Sequence, residues 1–194
     1  MRWVTASGVR HFSLHIAPNL GKRATPVSWV RTFGRKVTIM IIGIPRELLP
    51  GENRVAATPT TVPALLKLGY EVVVEAGAGE HAAQPDRAYE EAGARIVEPG
   101  EAWKADLVLA VNEPTDDQIS LMRAGAVLVT FLHPRQDLAL TEKLAAAGVT
   151  GLSMDMVPRI SRAQSMDALS SMANISGYRA VVEAAFAYGR TFGG

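Results

Sequence analysis

Residues 40–75 have the sequence MIIGIPRELLPGENRVAATPTTVPALLKLGYEVVVE and contain a complete strand–helix–strand unit. The apolar run Met40–Ile44 predicts a buried strand. Thr58 and Pro59 have the residue types of a helix cap and a first-turn proline, which predicts that the helix begins there. Glu71–Glu75 contains three consecutive valines, a pattern typical of a strand that is covered on both faces. This unit therefore predicts two parallel strands joined by a helix.

The same alternation of strands and helices continues to Ser153, and a loop follows at Val157–Ser165. Further strands are predicted at Arg95–Val97, Leu107–Val111, Val127–Phe131 and Thr150–Ser153, and further helices at Pro85–Ala92, Thr115–Met122 and Asp137–Ala147. Regular alternation of this kind predicts a mostly parallel sheet with helices on both faces. We therefore expect an α/β fold, Rossmann-like or flavodoxin-like, in a domain that spans residues 40–165.

The last part of the chain, residues 166–194, has a different pattern. Apolar residues recur at helical spacing from Met166 to about Arg190, which predicts one helix of about 25 residues. At 1.5 Å per residue such a helix is about 37 Å long, longer than the predicted sheet. We expect it either to run along the domain or to lead out to another one.

The composition is that of an ordinary globular protein, with 48% hydrophobic and 20% charged residues. There is no cysteine, which excludes disulfides, thiol chemistry and cysteine metal sites. The four histidines do not have the spacing of zinc ligands, so we expect no metal site. No apolar stretch approaches the roughly 20 residues of a membrane-spanning helix.

Charge is distributed unevenly along the chain. Seven of the 20 basic residues lie in residues 1–39, which hold no acidic residue, so the rest of the chain carries 13 basic and 19 acidic side chains. An acidic body argues against nucleic acid as a partner. The basic extension has two open interpretations, an organellar transit peptide or translated sequence upstream of a true start at Met40. Its arginines form no amphipathic helix, which favours the second, and on neither interpretation do residues 1–39 belong to the fold.

A pair of glycines follows the second predicted strand, in Gly77-Ala78-Gly79. Dinucleotide-binding domains use a glycine-rich turn to present backbone amides to a pyrophosphate. Here Ala82 occupies the third glycine position and the next helix restarts only at Pro85, so a tight turn is the better interpretation. We therefore expect no pyrophosphate site in this chain.

Two motifs resemble those of one known family. The first consists of GIPRE at residues 43–47 followed by PGENRVA at residues 50–56, and the second is VPRISRAQSMDALSSMANISGYRA at residues 157–180. Together they resemble the alanine dehydrogenase and transhydrogenase α family, and the second motif resembles its branch of proton-translocating NAD(P) transhydrogenases. The resemblance covers about residues 40–192.

This resemblance implies a site in the loop that follows the last strand. Transhydrogenases have an Arg, a Gln and an Asp there that act near the nicotinamide, and by motif position these are Arg159, Gln164 and Asp167. Gln164 and Asp167 are the implied catalytic residues, and Ser170 is a weaker cofactor-binding addition on the same helix face. A Gln amide matches the donor and acceptor of a carboxamide, and Arg supplies a fork of donors. From residue types alone, Asp167 is equally well explained as the cap of the long helix.

The resemblance also implies a function. The chain would be the N-terminal part of the NAD(H)-binding α subunit of a transhydrogenase, in which hydride transfer between NADH and NADP⁺ is coupled to proton translocation. NAD(H) would lie on this subunit and NADP(H) on the partner subunit, and the cofactors would carry the chemistry. The implied partners are a β subunit with its membrane domain and a second copy of this subunit. The implied location is cytoplasmic, peripheral to the inner membrane.

In that family the pattern continues into a separate Rossmann domain with a G-x-G-x-x-G turn. This chain stops before such a turn, so it resembles an N-terminal fragment. We expect residues 166–194 to link the first domain to that NAD-binding domain. We also expect the 194-residue chain alone to be inactive in hydride transfer.

Two alternatives remain open. The first is an alanine dehydrogenase-like oxidoreductase, which needs an arginine for the substrate carboxylate, a lysine for the carbonyl, and a histidine as acid or base. Arg54 and His133 match two of these positions, but Ala110 occupies the lysine position, which argues against this activity. His133 is then better interpreted as an ordinary loop histidine, while Arg54 is open to an ion pair with Glu47 or Glu52. The second alternative is a non-catalytic module for dimerisation or docking.

Overall fold

The computed structural model describes residues 39–190 of the 194-residue chain. The predictions for the basic extension, apart from Ile39, and for residues 191–194 lie outside the described residues. The strands are β1 (Ile41–Ile44), β2 (Glu71–Glu75), β3 (Arg95–Val97), β4 (Leu107–Leu109), β5 (Val127–Thr130) and β6 (Thr150–Ser153). The α-helices are α1 (Val62–Lys67), α2 (Asp86–Glu91), α3 (Asp116–Leu121), α4 (Leu138–Ala146) and α5 (Ala168–Tyr188).

The six strands form one parallel sheet in the order β3-β2-β1-β4-β5-β6. Chain order reverses between β1 and β4, because β2 lies on one side of β1 and β4 on the other. In open parallel sheets ligands bind beyond the carboxyl ends of the strands at such a reversal. The predicted α/β, Rossmann-like fold is confirmed, and its topology points to the carboxyl edge of the sheet as the place for a site.

Two clusters of buried apolar side chains fill the space between the sheet and its helices. One is built around β1 and β2 with α1 and α2, and the other around β4 and β5 with α3 and α4. Val72, Val73 and Val74 are all buried, as the three consecutive valines predicted. Gly43 allows the 3-10 turn Glu101–Lys104 to cross β1, since a Cβ at this position would lie 1.9 Å from the Ala102 carbonyl oxygen.

Two helix predictions need correction. The first helix does not begin at Thr58 and Pro59, because Thr61 is its N-cap residue and Pro63 lies in its first turn. Residues 58–63 contain two possible helix starts, Thr58 with Pro59 and Thr61 with Pro63, and the helix begins at the second. In addition, residues 161–166 form a 3-10 turn rather than an irregular loop, which places Met166 before the long helix instead of within it.

Helix α5 is the long C-terminal helix that the spacing of apolar residues predicts. It contains 21 residues, which corresponds to about 32 Å, and it ends at Gly189 with φ of +68°. None of its residues is buried, and Ile175 and Phe186 are 58% and 84% exposed. Residues of its first turns line a cleft of the domain, while most of the later residues are exposed, so we interpret α5 as leading away from the sheet. In the part of the chain described here, no helix is both long and apolar enough to cross a bilayer.

Candidate functional site

Two neighbouring clefts open at the carboxyl edge of the sheet. The larger, here called the main cleft, has a volume of about 580 Å³ and is lined by residues 54–56, 109–111, 129, 131, 154, 165–168, 171 and 172. The smaller, here called the side cleft, has a volume of about 420 Å³ and is lined by residues 46–50, 103, 112, 113, 115, 118, 131 and 133. Phe131 lines both clefts. The main cleft is the candidate functional site, because the loop after β6 and the segment after β1 meet there.

Asp167 lines the main cleft and also caps α5. Its Oδ1 accepts the Ser170 backbone N–H at 3.0 Å, and its Oδ2 accepts the Ser170 hydroxyl at 2.5 Å. The Ser170 hydroxyl, the Ser170 backbone N–H and, more weakly, the positive charge of Arg159 lower the pKa of the Asp167 carboxyl. The cap that residue types allow is therefore present. It also holds an anionic oxygen pair at the mouth of the cleft.

Arg159 and Gln164 lie on the same loop but not in the cleft lining. Both side chains are exposed, and Gln164 belongs to the 3-10 turn that precedes Asp167. The Gln164 carbonyl oxygen accepts the Asp167 backbone N–H at 3.3 Å, so the turn ties these two residues together. Four residues were predicted for this site: Arg159, Gln164, Asp167 and Ser170. The structure places Asp167 in the lining of the main cleft, and Ser170 hydrogen bonds to Asp167. The structure leaves Arg159 and Gln164 outside the lining.

Arg54 lines the main cleft and forms a forked ion pair with Glu52. Its Nε donates to Glu52 Oε1 at 2.7 Å and its Nη2 donates to Glu52 Oε2 at 2.5 Å. Glu52 Oε2 also accepts the Asn112 side-chain N–H at 3.0 Å. Mainly because of the Arg54 hydrogen bond, the pKa of Glu52 falls to about 2. Of the two ion-pair partners left open for Arg54, Glu52 is the one that hydrogen bonds to it.

Glu47 holds the loop after β1 against the end of β4. Its Oε1 accepts the Val111 backbone N–H at 2.6 Å, and its Oε2 accepts the Asn112 side chain at 2.9 Å. Asn112 thus bridges the carboxylates of Glu47 and Glu52, which fixes Arg54 in the cleft wall. Neither this bridge nor a role for Asn112 was among the predictions from the sequence. The available signal was an amide placed directly after a strand and two acids in the facing loop.

Ala110 and His133 decide whether an amino-acid dehydrogenase site is assembled. Ala110, which occupies the position expected for a lysine in the alternative activity, is buried in the lining of the main cleft. His133 lines the side cleft instead, and its Nδ1 lies 3.1 Å from Glu113 Oε1. Its ring is stacked near Phe131, with centroids 6.4 Å apart. Arg54 and His133 therefore do not face one common cleft.

The Gly77-Ala78-Gly79 segment is a tight turn. Gly77 has φ of +73°, and its N–H donates to the Asp86 carboxylate at 2.9 and 3.1 Å. A Cβ on Gly79 would lie 2.4 Å from the Gln84 carbonyl oxygen, so the chain itself fills this space. The amide that would face a phosphate is already bonded to a carboxylate. Within residues 39–190, no group of three or more His, Asp or Glu side chains is arranged to hold a metal ion.

Comparison with known proteins agrees with this architecture. The family model described as "Alanine dehydrogenase/PNT, N-terminal domain" matches residues 43–176. The chain is 56% identical over 155 residues to NAD(P) transhydrogenase subunit alpha of Haemophilus influenzae, a match that covers 80% of this chain and 30% of that protein. It is 38% identical over 139 residues to alanine dehydrogenase of Bacillus subtilis, covering 71% of this chain and 36% of that protein.

Solved structures show the same relationship. The transhydrogenase of Sinorhizobium meliloti superimposes with a TM-score of 0.75 at 45% identity, covering 77% of this chain and 45% of that one. An L-alanine dehydrogenase superimposes with a TM-score of 0.58 at 35% identity, covering 61% of this chain and 33% of that one. The chain spans about a third of the length of the curated relatives named above. The chain belongs to the alanine dehydrogenase/PNT family, and residues 43–176 correspond to its N-terminal domain.

Proposed function

We propose that this chain is the N-terminal part of the NAD(H)-binding α subunit of a proton-translocating NAD(P) transhydrogenase, and that its main cleft receives the nicotinamide end of NAD(H). The observation that carries the proposal is that Asp167, from the loop motif, lines the same cleft as Arg54 and the apolar Ala110. The identity of 56% with a transhydrogenase subunit, against 38% with an alanine dehydrogenase, supports the same choice.

The main cleft fits a nicotinamide ring. Its volume of about 580 Å³ lies within the range of roughly 300–1,000 Å³ that is usual for small-molecule sites. Ala110, Val129 and Met154 offer apolar surface to a flat ring, while Arg54 and Asp167 offer a donor and an acceptor. Because the turn at Gly77 uses its amide internally, we propose that the pyrophosphate is held by another part of the complete protein.

The bound nicotinamide cofactors supply the hydride chemistry, and this chain's residues bind and orient. Asp167, kept anionic by Ser170, accepts a hydrogen bond from the carboxamide or holds Arg159 in place. Gln164 donates to the carboxamide oxygen and accepts from its N–H, at the mouth of the cleft. None of these roles requires a side chain to gain or lose a proton.

The name 'subunit alpha' of the relatives implies a complex of several subunits, and we further propose how that complex is assembled. NAD(H) is bound on this subunit and NADP(H) on a β subunit with its membrane domain, and two copies of the α subunit associate. Helix α5 leads from the first domain toward the NAD-binding Rossmann domain, with residues 166–194 as the link and residues 40–165 as the first domain. The subunit is cytoplasmic and peripheral to the inner membrane, which it reaches through its partners.

The proposal is tested in a complete transhydrogenase complex that carries this domain. Arg159→Ala, Gln164→Ala and Asp167→Ala are each expected to lower the rate of hydride transfer between NADH and an NADP⁺ analogue about tenfold or more. Arg162→Ala is the matched control, because Arg162 is another exposed arginine of the same loop. Parental transfer rates in all three loop variants would overturn the proposal.

The alternative of an alanine dehydrogenase is tested in the same complex. No pyruvate-dependent NADH oxidation is expected, because Ala110 provides no ammonium and His133 lines the other cleft. The 194-residue chain alone is expected to show no hydride transfer and very weak NADH binding. Calorimetric binding in the nanomolar-to-micromolar range would contradict that expectation.

A further inference from the structure

The loop that carries Arg159, Gln164 and Asp167, residues 157–167, is hydrogen bonded largely to itself. The Ile160 N–H donates to the Pro158 carbonyl oxygen at 2.9 Å, and the Ala163 N–H donates to the Ile160 carbonyl oxygen at 2.9 Å. These bonds shape the loop but do not attach it to the sheet. Its position relative to the main cleft is therefore set by the packing of the buried Ala163 and by the contacts at its two ends, where it leaves β6 and where it enters α5.

Asp155 provides an attachment at the first of these ends. It lies in the 3-10 turn Met154–Met156, directly after β6, and its Oδ1 accepts the backbone N–H groups of Leu132 at 3.2 Å and of His133 at 3.3 Å. The Ser153 hydroxyl donates to the same oxygen. One carboxylate thus joins the start of the loop to the end of β5.

The backbone of His133 has an unusual conformation next to this contact. Its φ of +43° lies in the left-handed region, which non-glycine residues rarely adopt. Beside this residue, the successive backbone N–H groups of Leu132 and His133 both donate to Asp155 Oδ1, an arrangement in which backbone amides bind an anion. Strain of this kind persists where the surrounding structure requires it.

The charge of Asp155 is secured by the same contacts. Partial burial would raise the pKa of its carboxyl group, but the hydrogen bonds from Ser153 and from the backbone N–H groups of His133, Asp155 and Leu132 outweigh that effect and lower the pKa. The group is therefore anionic at neutral pH, and its hydrogen bonds to the backbone are charge-assisted, the stronger kind.

We propose that Asp155 is a positioning residue for the loop of residues 157–167. By accepting hydrogen bonds from the backbone N–H groups of Leu132 and His133, it sets where the loop leaves the sheet. It thereby sets where Gln164 and Asp167 meet the cofactor. Met154, the preceding residue of the same turn, lines the main cleft, so a shift of the turn moves the cleft wall as well. This inference rests on the function proposed above, since it assumes that the loop orients nicotinamide.

The test uses the complete complex and measures two quantities, the number of NADH molecules bound per subunit and the single-turnover rate of hydride transfer per bound NADH. Asp155→Ala is expected to lower the rate per bound NADH about tenfold or more, because small displacements of positioning groups have large effects on rate. Asp155→Asn keeps an oxygen acceptor for the two amides and is expected to retain most of the rate. A purely structural role would lower the number of sites and leave the rate per site unchanged.

Asp137→Ala is the matched control. Asp137 is another carboxylate near the end of β5 that accepts a backbone N–H, from Leu140 at 2.9 Å, but it caps α4 and not the loop. Should Asp155→Ala fail to fold, Ser153→Ala removes one donor to Asp155 and the second acceptor of the Leu132 N–H, and is expected to lower the rate per bound NADH about threefold. An unchanged rate per bound NADH in the folded variant overturns the inference. If Arg159→Ala, Gln164→Ala and Asp167→Ala are all silent in that complex, the proposed function fails as well.

Discussion

Asp167 and Ser170 are joined by two hydrogen bonds at the first turn of α5, one from the Ser170 backbone N–H and one from its hydroxyl. The same carboxylate lines the main cleft. A helix cap and a cleft wall therefore share one side chain. A change in the contacts of Asp167 therefore affects both the stability of the first turn of α5 and the wall of the main cleft.

The Ser170→Ala variant removes the larger of these contacts and is expected to raise the pKa of Asp167 toward its ordinary value of about 3.9. A carboxyl whose pKa is lowered by folding stabilises the folded state above its unfolded pKa, and this contribution is lost as pH falls through the folded pKa. Because the folded-state pKa of Asp167 is higher in the Ser170→Ala variant, the stabilisation by the ionised carboxylate is lost at a higher pH in the variant than in the parent. An NMR titration of the Asp167 carboxyl carbon measures the shift, and identical titration curves in both proteins would contradict it.

Ala110→Lys is expected to create an anion site in the main cleft. The new ammonium would lie in the same lining as Arg54, so that a small dicarboxylate such as oxalate meets two cations. Ala110→Met is the matched control, with similar length and no charge. Calorimetry on the 194-residue chain should give an oxalate affinity about tenfold higher for the lysine variant, equivalent to about 1.4 kcal/mol. Equal affinities would show that position 110 does not face the ligand.

Replacing His133 separates the effect of its backbone from that of its ring. Both His133→Gly and His133→Ala lose the pairing with Glu113, but only glycine adopts φ of +43° without strain. The glycine variant is therefore expected to be more stable than the alanine variant by about 1 kcal/mol, as measured by urea unfolding. If alanine proved as stable as glycine, the left-handed conformation would carry no cost.

Gly43 and Gly177 form a matched pair of glycine-to-alanine substitutions. Gly43→Ala would place a Cβ 1.9 Å from the Ala102 carbonyl oxygen. The substitution is expected to lower the free energy of unfolding by about 1–3 kcal/mol or more. Gly177 lies in the interior of α5 with no atom within 4 Å of its added Cβ, so Gly177→Ala should stabilise the helix by about 0.5–1 kcal/mol. Thermal unfolding of the two variants measures both effects. Shifts of the same sign would contradict this account.

Much of the fold could be predicted because its strands are short and strongly apolar. The three valines of β2 are a local signal that tertiary contacts did not override, and the helix predicted at Thr115–Met122 begins at Thr115, its N-cap residue. The start of α1 was wrong because two threonine–proline pairs stand close together, and local sequence does not distinguish them.

The site was less predictable because its contacts join distant parts of the chain. Asp155 and the His133 amide are 22 residues apart, and nothing local to either residue indicates the contact. The positive φ of His133 could not be predicted from its residue type either, because non-glycine residues, histidine included, have a negative φ in most cases. By contrast, the pairing of Arg54 with Glu52 was among the expectations because the two are separated by one residue.

Helix α5 has an energetic consequence for the cleft. Its first turns hold Ala168, Ser171 and Met172 in the cleft wall, while the rest of the helix extends into solvent. An isolated helix shorter than about 12–15 residues is only marginally stable in water, and the turns of a helix form cooperatively. Whatever orders the distal end of α5 also reduces the fraying of its first turn. The rigidity of the cleft wall is therefore set partly by a surface more than 20 Å away along the helix axis, at 1.5 Å per residue.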